Sequence, residues 1–132
     1  AADREDHLNN PVYGLIHDLQ DGKLVISDRY LYSSLSYQGV ECDFNKIASL
    51  NEFPSPEFVF FIDTPVEECL RRISSRGNET ELFEKQEFLH KVKENYERIF
   101  STLDPEVRLV RLDGLLKKEE IAAQIQEILF NR

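Results

Sequence analysis

Residues 58–74 read "FVFFIDTPVEECLRRIS", and two periodicities meet inside them. Phe58-Val59-Phe60-Phe61-Ile62 is an unbroken apolar run. Unbroken rather than alternating, it predicts a strand buried on both faces, as in a parallel sheet covered by helices. Asp63-Thr64-Pro65 then supplies a helix start. Thr64 reads as the N-cap, Pro65 as the first helical position, and Glu67 as the partner that closes a capping box. Val66, Cys69, Leu70 and Ile73 follow at helical spacing and predict the inner face.

The same alternation continues on both sides. "RRISSRGNETE", with Gly77 and its polar tract, predicts an exposed loop. A helix follows from about Glu84 to Phe100, with Leu89, Val92, Tyr96 and Ile99 inward. Val107 to Leu112 reads as a strand and Asp113-Gly114 as a turn. Lys118 to Leu129 reads as an amphipathic helix burying Ile121, Ile125, Ile128 and Leu129. Before residue 58, "NEFPSPE" is a turn cluster with two prolines. It follows a looser segment containing Asp43, Phe44, Ile47 and Leu50. Further back stand a helical stretch from about Tyr30 and a short strand, Leu24-Val25-Ile26-Ser27, expected to be buried. The first helix carries Leu8, Val12, Leu15, Ile16 and Leu19 and closes at Asp21-Gly22. Strands alternating with helices give an α/β class with a parallel sheet.

At 132 residues the chain can bury a real core. No apolar run approaches the roughly 20 residues of a membrane span, and no signal peptide opens it. Cys42 and Cys69 are not in CxxC spacing and read as free thiols in a cytoplasmic protein. The three histidines show no ligand spacing. A net charge of -9 argues against nucleic acid as the main partner. A small phosphate ester remains compatible with it, provided a few arginines converge.

Such arginines are present. In "VISDRYLYSSLSYQG", residues 25–39, an apolar strand runs into Asp28 and Arg29. Ligands of open parallel sheets bind at the carboxyl ends of strands. Asp28 there is either a cap or turn residue or a Walker B-like acid that holds magnesium through water. Arg29 is either a surface ion-pair partner or a bidentate phosphate contact. Tyr30 and Tyr32 read as core or half-buried aromatics, and Ser33, Ser34 and Ser36 as groups that satisfy the backbone.

Four stretches taken together resemble thymidylate kinases: "AADR" at 1–4, the Asp-Arg-Tyr stretch, "FVFFIDTPVEECLRRISSRG" at 58–77 and "FEKQEFLHKVKENY" at 83–96. The resemblance implies a P-loop NTPase-type three-layer fold, with a parallel sheet flanked by helices. It implies Mg2+-dependent transfer of the ATP γ-phosphate to dTMP in a cytoplasmic homodimer. By position, Arg4 corresponds to the arginine on the thymine carbonyl and Arg29 to the one on the thymidylate phosphate. Asp28 matches the acid near magnesium, Ser34 and Gln38 lie at the base edge, and Tyr37 lies under the sugar. The loop at about 72–84 corresponds to a lid, with Arg72 and Arg76 clamping the donor nucleotide; solvated helix-end arginines are the plainer alternative. Leu82 stands where some members of the family carry an arginine.

No GxxxxGK[ST] occurs in the chain. In the family that loop precedes the position of Ala1, together with the central strand and the residue that stacks on thymine. Residues 1–132 are therefore expected to be the later, larger part of one domain, inactive alone. Two other readings stay open: a different P-loop kinase of nucleosides or nucleotides, and a non-catalytic nucleotide-binding fragment.

Overall fold

The computed structural model describes residues 7–10, 14–46, 54–75 and 82–131. The chain divides into two compact units, Ala1–Phe53 and Pro54–Arg132.

In the first unit, the single helix expected across Leu8 to Leu19 is interrupted. A helical segment at 7–9 buries Leu8, and helix α1 (Leu15–Gln20) starts afresh after Gly14. Gly14 is the reason. Its N–H donates to the Asn10 carbonyl at 2.8 Å, and its backbone is extended, with ψ 146°. A Cβ there would lie 2.6 Å from the Leu8 carbonyl oxygen, so only glycine fits the crossing. The expected inner residue Val12 lies outside the described residues. The stop is as read, with Gly22 at φ 79°.

Residues 23–27 form no strand, and Leu24 and Ile26 are 54% and 75% exposed. The buried strand expected at 24–27 is thereby corrected. A β-branched run becomes a strand only when a neighbour takes its N–H and C=O groups into a ladder. Among the described residues the one ladder joins β1 and β2 below. Helix α2 (Leu31–Gln38) follows, with Tyr30 as N-cap and Leu31, Ser33, Leu35 and Ser36 buried. Asp43 then caps a helical turn at 44–46, its carboxylate accepting from the Asn45 and Lys46 N–H groups.

The second unit holds strand β1 (Phe58–Asp63), helix α3 (Val66–Ser74), helix α4 (Leu82–Phe100), strand β2 (Arg108–Asp113) and helix α5 (Lys118–Phe130). The strands pair in parallel, from Phe58 beside Arg108 to Asp63 beside Asp113. The parallel α/β reading holds here. The burial of β1 on both faces does not: its residues are half-buried and Ile62 is 48% exposed. A strand with one neighbour leaves an edge open that a central strand would close.

Helix α4 covers the sheet through aromatic contacts. The Phe61 ring lies 5.1 Å from Tyr96 and 4.9 Å from Phe100, centre to centre. Val92 and Ile99 are buried, and α3 packs on α4 with Val66 and Leu70 buried. Arg111 lies over Phe61 and Phe100 and forks onto Glu97 with two 2.7 Å bonds. Those bonds hold the Glu97 carboxyl below its ordinary range.

The capping box is also corrected. The N-cap of α3 is Pro65, without a side-chain cap bond, and the helix begins at Val66. With ψ at 143°, Pro65 is still extended and cannot be the first helical residue. Thr64 lies instead against Gly114, whose N–H donates to the Asp63 carbonyl at 2.9 Å. No helix among the described residues is long and apolar enough to cross a membrane.

Candidate functional site

The segment 23–27 leads into a bend at Asp28 and Arg29. Arg29 has φ 67°, the left-handed region. For a side-chain-bearing residue that costs roughly 1–2 kcal/mol, so the surroundings must hold it there. Three contacts do. The Ser27 hydroxyl donates to the Arg29 carbonyl at 2.7 Å. Arg29 Nε donates to Ser33 Oγ at 2.6 Å, and Ser33 is only 7% exposed. The guanidinium carbon also lies 4.7 Å from the centre of the Tyr37 ring, within cation–π range.

A concavity of about 370 Å³ opens in this unit, within the range of small-molecule sites. Asp28, Arg29 and Tyr30 line it from the bend, and Ser33, Ser34, Tyr37 and Gln38 from α2. The two helix pairs 33/37 and 34/38 are each one turn apart, which puts all four on one side of the helix. Five residues singled out in the sequence, Asp28, Arg29, Ser34, Tyr37 and Gln38, are thus brought together.

Chemically, the site offers one cation with its direction set. Among the described residues Arg29 hydrogen-bonds through Nε and not through Nη1 or Nη2. Asp28 has neither a hydrogen bond nor an ion pair among these residues, and it does not cap α2. Of the plainer readings, Asp28 does lie in a bend rather than at the cap of α2, and Arg29 has no ion pair among the described residues. A guanidinium end facing a cavity beside hydroxyls, an amide and a tyrosine ring suits an anionic ester with a flat polar body.

Arg72 belongs to the second unit. Its Nε donates to Glu68 and its Nη2 to the Gly114 carbonyl, both at 3.0 Å. Glu68 also accepts two bonds from Arg71, at 2.9 and 2.7 Å. These arginines, Arg71 foremost, pull the Glu68 carboxyl down to about 2. Arg72 is therefore an ordered side chain beside the end of β2, not a freely solvated one. Arg4 and Arg76 lie outside the described residues. No group of three or more His, Cys, Asp or Glu among the described residues could hold a metal ion.

Three contributors were not singled out from sequence: Ser27, Tyr30 and Ser33. For Ser33 a signal existed, since Arg29, Ser33 and Tyr37 recur every four residues, as on one stripe of a helix. For Ser27 there was none, because its role depends on the sign of one backbone angle.

A thymidylate kinase family model matches residues 1–125. A relative in Treponema pallidum (strain Nichols), named for the same enzyme, is 42% identical over 98% of this chain and 62% of its own. Proteins named probable thymidylate kinase in Pyrococcus horikoshii and Thermococcus gammatolerans are similar at two lower levels. The first is 39% identical over 95% of this chain and 59% of its own. The second is 37% identical over 98% and 62%. The chain thus spans about three fifths of the length of these relatives.

Proposed function

Because the chain belongs to the thymidylate kinase family, we propose that the whole protein transfers the γ-phosphate of ATP to dTMP, giving dTDP and ADP. The observation that supports this most directly is Arg29: at positive φ, bonded at Nε to Ser33, within cation–π range of Tyr37, and lining a concavity with Ser34 and Gln38.

In this reading Arg29 holds the dTMP phosphate through Nη1 and Nη2, which keeps the attacking oxygen in place. Tyr37 lies under the deoxyribose, Ser34 and Gln38 meet the base edge, and Arg4 takes the thymine carbonyl. The new P–O bond forms at a dTMP phosphate oxygen, while the bond from the γ-phosphorus to the β–γ bridging oxygen of ATP breaks. The protein's share is positioning and charge neutralisation, with no covalent intermediate. Arg72 and Arg76, in a lid at about 72–84, take the donor phosphates.

Asp28 fits magnesium. The ion favours one or two carboxylates together with substrate phosphates and water, and Asp28 is an exposed carboxylate without a protein partner among the described residues. Magnesium, when bound, neutralises charge on the phosphate oxygens. The reading also carries the P-loop NTPase fold, with residues 1–132 as the later part of one kinase domain, and a homodimer.

The test is ADP release by the protein in its full natural length, with dTMP, dUMP, dCMP and thymidine as acceptors. dTMP is expected to be preferred. Over dUMP the margin is modest, since one methyl group contributes about 0.8 kcal/mol. R29A is expected to raise KM for dTMP tenfold or more, because charge-assisted bonds are worth roughly 1.5–3 kcal/mol, and to leave KM for ATP nearly unchanged. Preference for thymidine or dCMP would instead indicate another kinase of this class. An R29A enzyme with the parent KM for dTMP would remove Arg29 from the site.

A further inference from the structure

We propose that Ser27 and Ser33 are positioning residues for Arg29. Between them they fix the backbone and the guanidinium so that only the Nη1/Nη2 end meets the phosphate of a nucleoside monophosphate. The proposal rests on the dTMP reading above.

A free arginine side chain loses up to roughly 2 kcal/mol of rotamer entropy when it is ordered. If that ordering happened on binding, it would weaken the phosphate contact; here the Nε bond and the Tyr37 ring restrict the side chain beforehand. Ser33 does half of the work. Its oxygen accepts from Nε at 2.6 Å, and at 7% exposure the hydroxyl is itself held in place by its surroundings. With Nε bonded to Ser33 and the guanidinium carbon 4.7 Å from the centre of the Tyr37 ring, the fork of Nη1 and Nη2 is the edge left for ligand. That edge matches two phosphate oxygens.

Ser27 does the other half. Arg29 at φ 67° is in a conformation that an arginine leaves readily. Relaxation to negative φ would swing Cβ away and carry the side chain out of the concavity. The hydroxyl bond from Ser27 to the Arg29 carbonyl, at 2.7 Å, spans two residues and opposes that relaxation. Ser27 is exposed and is not among the residues lining the concavity. Any effect it has on phosphate binding must pass through Arg29.

The experiment is calorimetric titration of the full natural-length protein with dTMP and, separately, with thymidine, which lacks the phosphate. S27A and S33A are each expected to raise Kd for dTMP by about tenfold and to leave Kd for thymidine unchanged. S27T, which keeps the hydroxyl, is expected to restore dTMP binding. In an R29A background neither serine substitution is expected to have a further effect. Equal losses for dTMP and thymidine would assign the serines a general structural role and overturn the proposal. So would S27A binding dTMP like the parent, or a loss that persists without Arg29. If S33A fails to fold, the exposed S27A and S27T pair decides alone. A parent protein that binds no dTMP overturns the dTMP reading, and this proposal with it. A parent that binds dTMP with indifferent serine variants overturns this proposal only.

Discussion

Glu68 accepts from Arg71 and from Arg72, and so couples a surface ion cluster to an arginine that reaches the carbonyl of Gly114. Folding lowers its pKa to about 2 from an ordinary 4.5. The folded state therefore binds the Glu68 proton less readily than the unfolded chain. The contribution is complete above about pH 4.5 and is lost as pH falls toward about 2. Acid unfolding followed by circular dichroism is expected to show a steeper loss of stability for the parent than for E68Q across that window. Parallel curves would mean the cluster is formed equally in the unfolded chain. At this scale the sequence was most informative about residue type and least about local geometry. Asp28, Arg29, Ser34, Tyr37 and Gln38 could be singled out because each carries its chemistry in its side chain. Ser27 could not, and Ser33 only through its spacing from Arg29 and Tyr37, since a hydroxyl becomes a positioning group only through where the backbone puts it. Ser27 acts on a carbonyl turned by a positive φ, and Ser33 on a nitrogen four residues away.

Elements were legible where the local pattern and its partner lie within reach of each other. The apolar run at Phe58–Ile62 and the run at Val107–Leu112 each read as strands, and they pair with each other in parallel. The Leu24–Ser27 run has the same local character and stays outside any ladder. Strand propensity specifies a conformation, whereas a strand also needs a neighbour. The start of α3 failed for a subtler reason. Thr64 and Pro65 satisfy the capping pattern in composition, yet the chain is still extended at Pro65 because Asp63 and Thr64 are engaged with Gly114. That engagement leaves no space at Gly114. A Cβ there would lie 2.9 Å from the Asp63 carbonyl oxygen and from Thr64 Cβ, and would overlap Thr64 Oγ1. G114A is expected to destabilise the protein by about 1–3 kcal/mol, as overpacking does. In thermal unfolding this lowers Tm by several degrees. An unchanged Tm would mean that the turn between β2 and α5 shifts freely, and that the close approach carries no constraint.

At the largest scale a long-range field is set against a short-range contact. Residues 1–132 carry 16 basic and 25 acidic side chains, and their net charge of -9 repels a phosphate at a distance. At contact, the proposed site sets the forked end of Arg29 against that repulsion. Salt separates the two effects. The Debye length is about 10 Å at 0.1 M, so added salt screens the diffuse repulsion before it weakens a bidentate contact. The salt dependence of an anion's binding also scales with how many phosphates are neutralised. One monophosphate on one arginine therefore has a shallow slope. From about 50 to 200 mM salt, Kd for dTMP is expected to rise by no more than about fourfold, whereas a surface neutralising many phosphates loses roughly a thousandfold or more over that range. Titrating dTMP binding across these concentrations makes the distinction. A steep loss would mean that the phosphate is held by a spread of basic groups, and the site centred on Arg29 would have to be abandoned. A shallow one would support the proposed contact of one phosphate with one guanidinium.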